Sequence, residues 1–207
     1  MIRAVTEDEI WCEFLRSEFH DYIPRHHWGE CERLTNNPDF ENQKDNLRRL
    51  QLLQFREPIV SLIPYGTSWS KVSLSNEELL QLYAIRYGSW KALTEGSYLL
   101  RDGAKNLRNP NWSIAPMMEL SLGDYLQDTR DQIESIRVKV SKMVKENITG
   151  LPILIRQVGR PKLTVIEGCH RITARIIRRT LSTEDKGETK VLLGESPNMT
   201  SCPWLVP

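Results

Sequence analysis

Five consecutive residues, Glu167-Gly168-Cys169-His170-Arg171, bring together the densest set of reactive side chains in the sequence. A guanidinium can meet a phosphate with two parallel donors, and it stays charged at neutral pH. An imidazole can donate to a phosphoryl oxygen or shuttle a proton, and a carboxylate can hold magnesium or accept a proton from a hydroxyl. The glycine among them permits backbone conformations that other residues resist. This segment therefore predicts a site that holds a phosphate.

The residues on either side predict a strand that leads through a turn into a helix. Residues 162–166 are mostly β-branched and apolar, which is typical of a strand. Beyond the turn, apolar residues recur at near-helical spacing, with arginines on the other side. The apolar positions are Ile172, Ala174, Ile176 and Ile177, and the arginines are Arg175, Arg178 and Arg179. The first amides of such a helix, together with its dipole, form an anion site worth about 0.3–1 kcal/mol per charge.

The strand, turn and helix of residues 152–174 resemble the core of the ParB/sulfiredoxin superfamily. That core has a Gly-X-X-Arg turn and an alanine three residues after the arginine, matched here by Gly168, Arg171 and Ala174. The motif Gly-Cys-His-Arg is most similar to that of sulfiredoxin, whose cysteine attacks an ATP-activated sulfinate. The preceding Glu167 is more similar to the free-serine kinases of the superfamily, which carry an acidic-Gly-His-His-Arg turn.

The resemblance implies an α+β fold, with a ParB/sulfiredoxin-like core of a small mixed sheet flanked by helices and an α/β amino-terminal extension packed on it. It also implies ATP or ADP with Mg²⁺ as cofactors, and a hydroxyl of a small molecule or nucleoside as acceptor. The residues that we expect to bind the cofactor are Gly168, Cys169, His170, Arg171 and Thr173, with Glu167 as metal ligand. The residues that we expect to be catalytic are Glu167, Cys169, His170 and Asp124. Asp124 is included because the serine kinases have a further acidic residue after the first core strand, and Glu119 lies in the same neighbourhood.

Each of these side chains also has a purely structural interpretation. Arg171 can form a salt bridge at the helix start, Glu167 can brace the turn, and His170 can be a buried, satisfied histidine. Cys169 lies at a helix amino end beside a cation, a setting that lowers a thiol's pKa, but cysteine also fills such turns as a small apolar residue. Three classes of function stay open. They are a nucleotide-dependent phosphotransferase, which we favour, sulfiredoxin-like thiol chemistry through Cys169, and a non-catalytic nucleotide-sensing or nucleic-acid-associated module.

The charge of the chain is balanced, with 28 basic and 27 acidic residues and a net charge of +1 over 207 residues. This balance does not favour nucleic acid or an anionic membrane as the partner. No apolar run approaches the roughly 18–20 residues of a spanning helix, and the first residues are too acidic for a signal peptide. The four cysteines have no paired spacing, which predicts a reduced, cytoplasmic protein.

We predict that residues 1–110 form the amino-terminal extension, which shapes the acceptor pocket, and that residues 111–207 form the core. Capping boxes at Thr6/Glu9 and Ser75/Glu78 predict helices over residues 6–20 and from residue 76 to 85. The further predicted helices cover residues 42–55 and the stretch from about 129, and short helices or strands are expected over 90–94 and 97–104. The predicted strands cover residues 58–63, 69–74, 114–122, 151–156 and 189–193.

Two side-chain clusters in the amino-terminal part have open interpretations. In residues 25–31, His27 and Cys31 stand four residues apart, so a zinc site is one interpretation and packing or a binding surface is the other. Aromatic residues crowd residues 69–98. They predict core packing or, as the alternative, the wall of a pocket that binds a base or sugar.

Overall fold

The computed structural model of the protein describes residues 2–54, 61–115, 119, 126–146, 148–181 and 187–206. Over these residues it shows a mixed α+β fold, as predicted, with eight α-helices and one six-stranded sheet. The strands are β1 (Arg3–Ala4), β2 (Ser68–Leu74), β3 (Tyr83–Ala84), β4 (Ile153–Gln157), β5 (Thr164–Glu167) and β6 (Thr189–Ser196). The helices are α1 (Glu7–Tyr22), α2 (Trp28–Asn36), α3 (Gln43–Leu52), α4 (Asn76–Leu79), α5 (Gly88–Leu93), α6 (Leu100–Arg108), α7 (Leu126–Lys145) and α8 (Cys169–Leu181). Short 3₁₀ turns cover Arg25–His27 and Met199–Ser201.

The sheet has the strand order β1-β2-β6-β4-β5-β3 and is mixed. β6 pairs with β4 in parallel, and β5 pairs with β3 in parallel, whereas the remaining neighbours are antiparallel. Strands before and after residue 110 lie in this one sheet. The division of the chain at residue 110 stays a prediction about its organisation.

Alternation along the central strands gives the sheet two buried faces. In β4, Leu154 belongs to one hydrophobic cluster, and its neighbours Ile153 and Ile155 belong to the other. Val165 and Ile166 of β5 divide in the same way. Helices α1, α2 and α3 cover the face of Ile153, and the later helices, including α7 and α8, cover the face of Leu154. The sheet is therefore the middle layer between two layers of helices.

Local signals predicted many of these elements. Thr6 and Glu9 form the predicted capping box of α1, and Ser75 and Glu78 form that of α4. Helix α7 buries its predicted stripe, including Ile133, Ile136 and Val140. The strands predicted over 69–74, 151–156 and 189–193 are confirmed as β2, β4 and β6, and the helix predicted over 42–55 as α3.

Other predictions were wrong or lie partly outside the described residues. The helix predicted to run from residue 76 to 85 ends at Leu79, because Tyr83 and Ala84 pair with β5 instead. Of the strand predicted over 58–63, residues 58–60 lie outside the described residues, and residues 61–63 form a turn and a bend. Of the strand predicted over 114–122, Ile114 and Ala115 are not in a strand, Glu119 is helical, and the remainder lies outside the described residues.

Candidate functional site

The tight turn between β5 and α8 depends on a glycine with a positive φ angle. β5 ends at Glu167, and α8 begins at Cys169. Gly168 between them has φ +95°, a conformation that side chains other than glycine rarely adopt. A Cβ atom there would also lie 3.0 Å from the Cα of Pro152, so the chain passes too closely for a larger residue. The first amides of α8 have no acceptor within their own helix, which is general at helix amino ends.

A cavity of about 590 Å³ lies at this turn. It is lined by the carboxy-terminal part of α1, the segment that joins β3 to α5, one side of α7, the turn itself and Trp204. α1 and α7 belong to the two opposite helical layers. The cavity therefore lies at one end of the sheet, between the layers, at the carboxyl end of β5.

Arg171 lines this cavity although only 7% of its surface is exposed. Its guanidinium donates to the hydroxyl of Ser17 in α1 at 2.9 Å and to the carboxylate of Glu167. Its Nε is buried and has no hydrogen-bond partner among the described residues. The structural interpretation of Arg171, a salt bridge at the helix start, is therefore correct. Arg171 also borders the cavity in which a ligand would lie.

His170 is half-buried in the wall of the cavity, with its ring centroid 5.6 Å from that of Trp90. Burial lowers the pKa of its imidazole to about 4, and the nearby charges of Lys139 and Arg171 act in the same direction against a smaller opposing effect of Asp21. The imidazole is therefore neutral at pH 7, with one nitrogen that donates a hydrogen bond and one that accepts.

Cys169 lies at the amino end of a helix beside a cation, but burial outweighs this activating setting. It is 5% exposed, and its Sγ lies 3.4 Å from the carbonyl oxygen of Val165, to which it donates. Burial raises the pKa of the thiol to about 12, and the smaller lowering effect of Arg171 does not compensate. The thiolate is the reactive form of cysteine, so this environment does not favour Cys169 as a nucleophile.

The remaining predicted residues are placed less favourably. Glu167 lines the cavity, but its carboxylate is paired with Arg171. Thr173 is fully buried, donates to the carbonyl of Cys169 at 2.8 Å, and does not line the cavity among the described residues. Asp124 lies outside the described residues, and Glu119 forms an ion pair with Arg130 at 2.6 Å. Where the structure describes the chain, it shows no group of three or more histidine, cysteine or acidic side chains that could hold a metal ion.

Several lining residues were missed by the sequence analysis. They are Ser17, Glu18, Asp21 and Tyr22 of α1, and Gln132, Ser135 and Lys139 of α7. Most are polar residues at helical spacing beside an apolar stripe, and that pattern alone is also typical of a solvated helix face. Tyr87 lines the cavity, in agreement with the pocket-wall interpretation. Trp90 borders the cavity but is also buried in the core, and Trp69 is a core residue, in agreement with the core interpretation.

The histidine and tryptophan cluster near residue 27 is held by packing. The Trp28 indole donates to the carbonyl of Ile23 at 2.9 Å, and the ring of His20 meets it edge-on at 4.7 Å. Arg25 lies over the same indole at 5.5 Å. These contacts agree with the packing interpretation of this cluster.

A comparison of the chain with protein-family models, curated proteins and solved structures finds no significant match. The class of the protein is therefore defined by its own fold and site. It is an α+β protein with a cavity that combines a helix amino end, two cations, a neutral imidazole and three carboxylates. Within the described part of the chain, no helix combines the length and apolar character needed to cross a membrane.

Proposed function

We propose that the protein is a nucleotide-dependent phosphotransferase that acts on a hydroxyl of a small molecule or nucleoside. The observation that carries this proposal is the convergence of the amino end of α8, Arg171 and Lys139 on one cavity of about 590 Å³. Positive groups of this kind neutralise the charge of a transferring phosphoryl group, and such neutralisation is the main requirement of phosphoryl transfer. The resemblance to the ParB/sulfiredoxin superfamily supports the same proposal.

The backbone amides and side chains of the turn have separate roles in binding the phosphate. The free amides at the start of α8 bind phosphate oxygens. His170, neutral at pH 7, donates a hydrogen bond to a further oxygen, because its pKa of about 4 keeps one nitrogen protonated and the other unprotonated. Arg171 keeps its charge beside them and is already positioned by Ser17 and Glu167.

The cofactors that we propose are ATP or ADP and Mg²⁺. Mg²⁺ is usually held by one or two carboxylates together with the substrate phosphates, so a large protein cage is not required. Glu167 lines the cavity, and it is the carboxylate that we propose as the protein ligand of the ion. When bound there, the ion would neutralise charge on the phosphates.

The aromatic residues supply a surface for the planar part of a nucleotide. Tyr87 lines the cavity with 53% of its surface exposed, and the edge of the buried Trp90 borders the cavity with its ring centroid 5.6 Å from that of His170. Aromatic rings bind planar groups by stacking.

We also propose that the protein is cytoplasmic. The four cysteines are free and buried, which agrees with a reducing compartment.

The geometry favours this function over sulfiredoxin-like chemistry. A sulfiredoxin-like reaction needs an accessible, activated thiol, and burial has the opposite effect on Cys169. A kinase-like reaction needs no thiol. Replacement of Cys169 by serine therefore separates the two, because only a thiol enzyme would lose its activity.

The experiment is a thermal-unfolding panel with ATP, ADP and CTP, each with and without Mg²⁺, followed by a phosphate-transfer assay with candidate hydroxyl acceptors. A ligand at 100 times its Kd stabilises the native state by about 2.7 kcal/mol, which raises the Tm of a chain of this size by roughly 5–10 °C. His170→Gln should reduce the shift. His26→Gln, a matched change at an exposed histidine, should retain it. If no nucleotide raises the Tm of the wild type, the proposal is wrong.

A further inference from the structure

An ion pair joins the two helical layers at the cavity. The ammonium of Lys139 in α7 lies 2.6 Å from a carboxylate oxygen of Asp21 in α1, and both residues line the cavity. The side chains are 35% and 48% exposed, so solvent and ligand can reach both. Exposed pairs of this kind are weak, because water competes with each partner. A ligand that carries several negative charges can therefore take the lysine from the carboxylate.

The other carboxylates at the cavity are less available. The side chain of Glu167 is 11% exposed and is paired with the side chain of Arg171, which is 9% exposed. Glu18 is buried, with 8% of its surface exposed. Among the described residues, Asp21 is thus the cavity carboxylate that is accessible and paired with one exposed cation.

We propose that Lys139 and Asp21 exchange partners during the reaction: the nucleotide phosphate binds Lys139, and the released Asp21 becomes the general base for the acceptor hydroxyl. This inference rests on the proposed function and assigns two catalytic residues to it. The same phosphate that supplies the transferred group would then also free the base, so the base is available only when the donor is bound.

The proposed step is balanced. The acceptor hydroxyl gives its proton to the carboxylate of Asp21, and the acceptor oxygen forms a bond to the terminal phosphorus of the nucleotide. The bond from that phosphorus to the bridging oxygen breaks, and the shortened nucleotide leaves with the electron pair. Lys139 and Arg171 neutralise charge on the phosphoryl oxygens throughout.

The test uses the full chain and three variants, with the Kd of ATP or ADP with Mg²⁺ and kcat as separate measurements. Asp21→Asn should bind the nucleotide several-fold more tightly than the wild type, because Lys139 no longer has a competing partner, while kcat falls about 10²–10⁴-fold. Lys139→Met should raise the Kd about tenfold, and Lys139→Arg should restore most of the binding. Glu134→Gln removes a different ion pair of α7, that with Arg137 at 3.4 Å, and should leave the Kd and kcat within twofold of the wild type.

The outcomes distinguish the exchange from a structural tie between α1 and α7. A structural tie predicts that Asp21→Asn and Lys139→Met weaken binding alike, and that result would overturn the inference. A kcat of Asp21→Asn within threefold of the wild type would overturn the role of Asp21 as base. If the wild type binds no nucleotide, the proposed function fails, and this inference fails with it. If the wild type transfers phosphate but the Kd of Asp21→Asn is unchanged or higher, the inference alone is wrong.

Discussion

The neutral state of His170 makes a measurable prediction about stability and pH. The pKa of this imidazole is lowered from 6.5 to about 4 in the folded protein, chiefly by burial and then by the charges of Lys139 and Arg171. Between these two pH values the unfolded chain binds a proton at His170 and the folded chain does not. The folded protein therefore loses stability as the pH falls from 6.5 towards 4, and the contribution of His170 is fully restored above pH 6.5.

The size of the effect follows from the shift. Each pKa unit corresponds to 1.36 kcal/mol, so at pH 5 the proton bound by the unfolded state costs the folded state about 2 kcal/mol. His170→Gln removes this cost, because glutamine does not titrate. The difference in the free energy of unfolding between the variant and the wild type should change by about 2 kcal/mol between pH 7 and pH 5, in favour of the variant at pH 5.

The measurement is urea unfolding of both proteins at several pH values, with a parallel NMR titration of the His170 ring proton. Carboxylates titrate in both proteins, so their contribution cancels in the difference. If the difference in unfolding free energy is independent of pH, or if the ring titrates near pH 6.5 in the folded protein, burial does not keep this imidazole neutral. Its assignment as a neutral donor to a phosphate would then be refuted.

Three further changes test other features of the fold and site. A Cβ atom at Gly194 would lie 2.5 Å from the buried ring of Trp69, so Gly194→Ala should destabilise the protein by about 1–3 kcal/mol in urea unfolding, whereas Gly29→Ala meets nothing within 4 Å and is the control. Glu167→Ala leaves the buried guanidinium beside it without its opposite charge and should lower the free energy of unfolding by about 3–5 kcal/mol. The Cys169 thiol, with its pKa of about 12, should not react with Ellman's reagent in the folded protein at pH 8, and Cys169→Ser should retain nucleotide binding.

Distinct results would contradict each of these expectations. Equal stability of the Gly194 and Gly29 variants would mean that the tryptophan ring moves aside without cost. A Glu167 variant within 1 kcal/mol of the wild type would mean that the arginine finds water or another acceptor. A thiol at residue 169 that reacts within seconds in the folded protein would restore the thiol-enzyme hypothesis.

The sequence by itself determined the features that depend on neighbouring residues. The capping boxes at Thr6 and Ser75 act within three residues, and the apolar stripe of α7 is visible as helical spacing. The turn at Gly168 was predictable for the same reason, since a glycine between a strand and a helix is a local signal. Much of the secondary structure, and the glycine turn at which we propose the phosphate site, were therefore within reach of the sequence.

The tertiary structure decided which side chains share the cavity and in what state they are. Asp21 and Lys139 are 118 residues apart in the sequence, and Ser17 and Arg171 are 154 apart, so no local pattern joins them. Pairing with β5 likewise took Tyr83 and Ala84 out of the predicted helix. The high pKa of Cys169 arises because the thiol is buried in the hydrophobic cluster on the α7 and α8 side of the sheet, and this desolvation outweighs the local charge of Arg171 that the sequence shows.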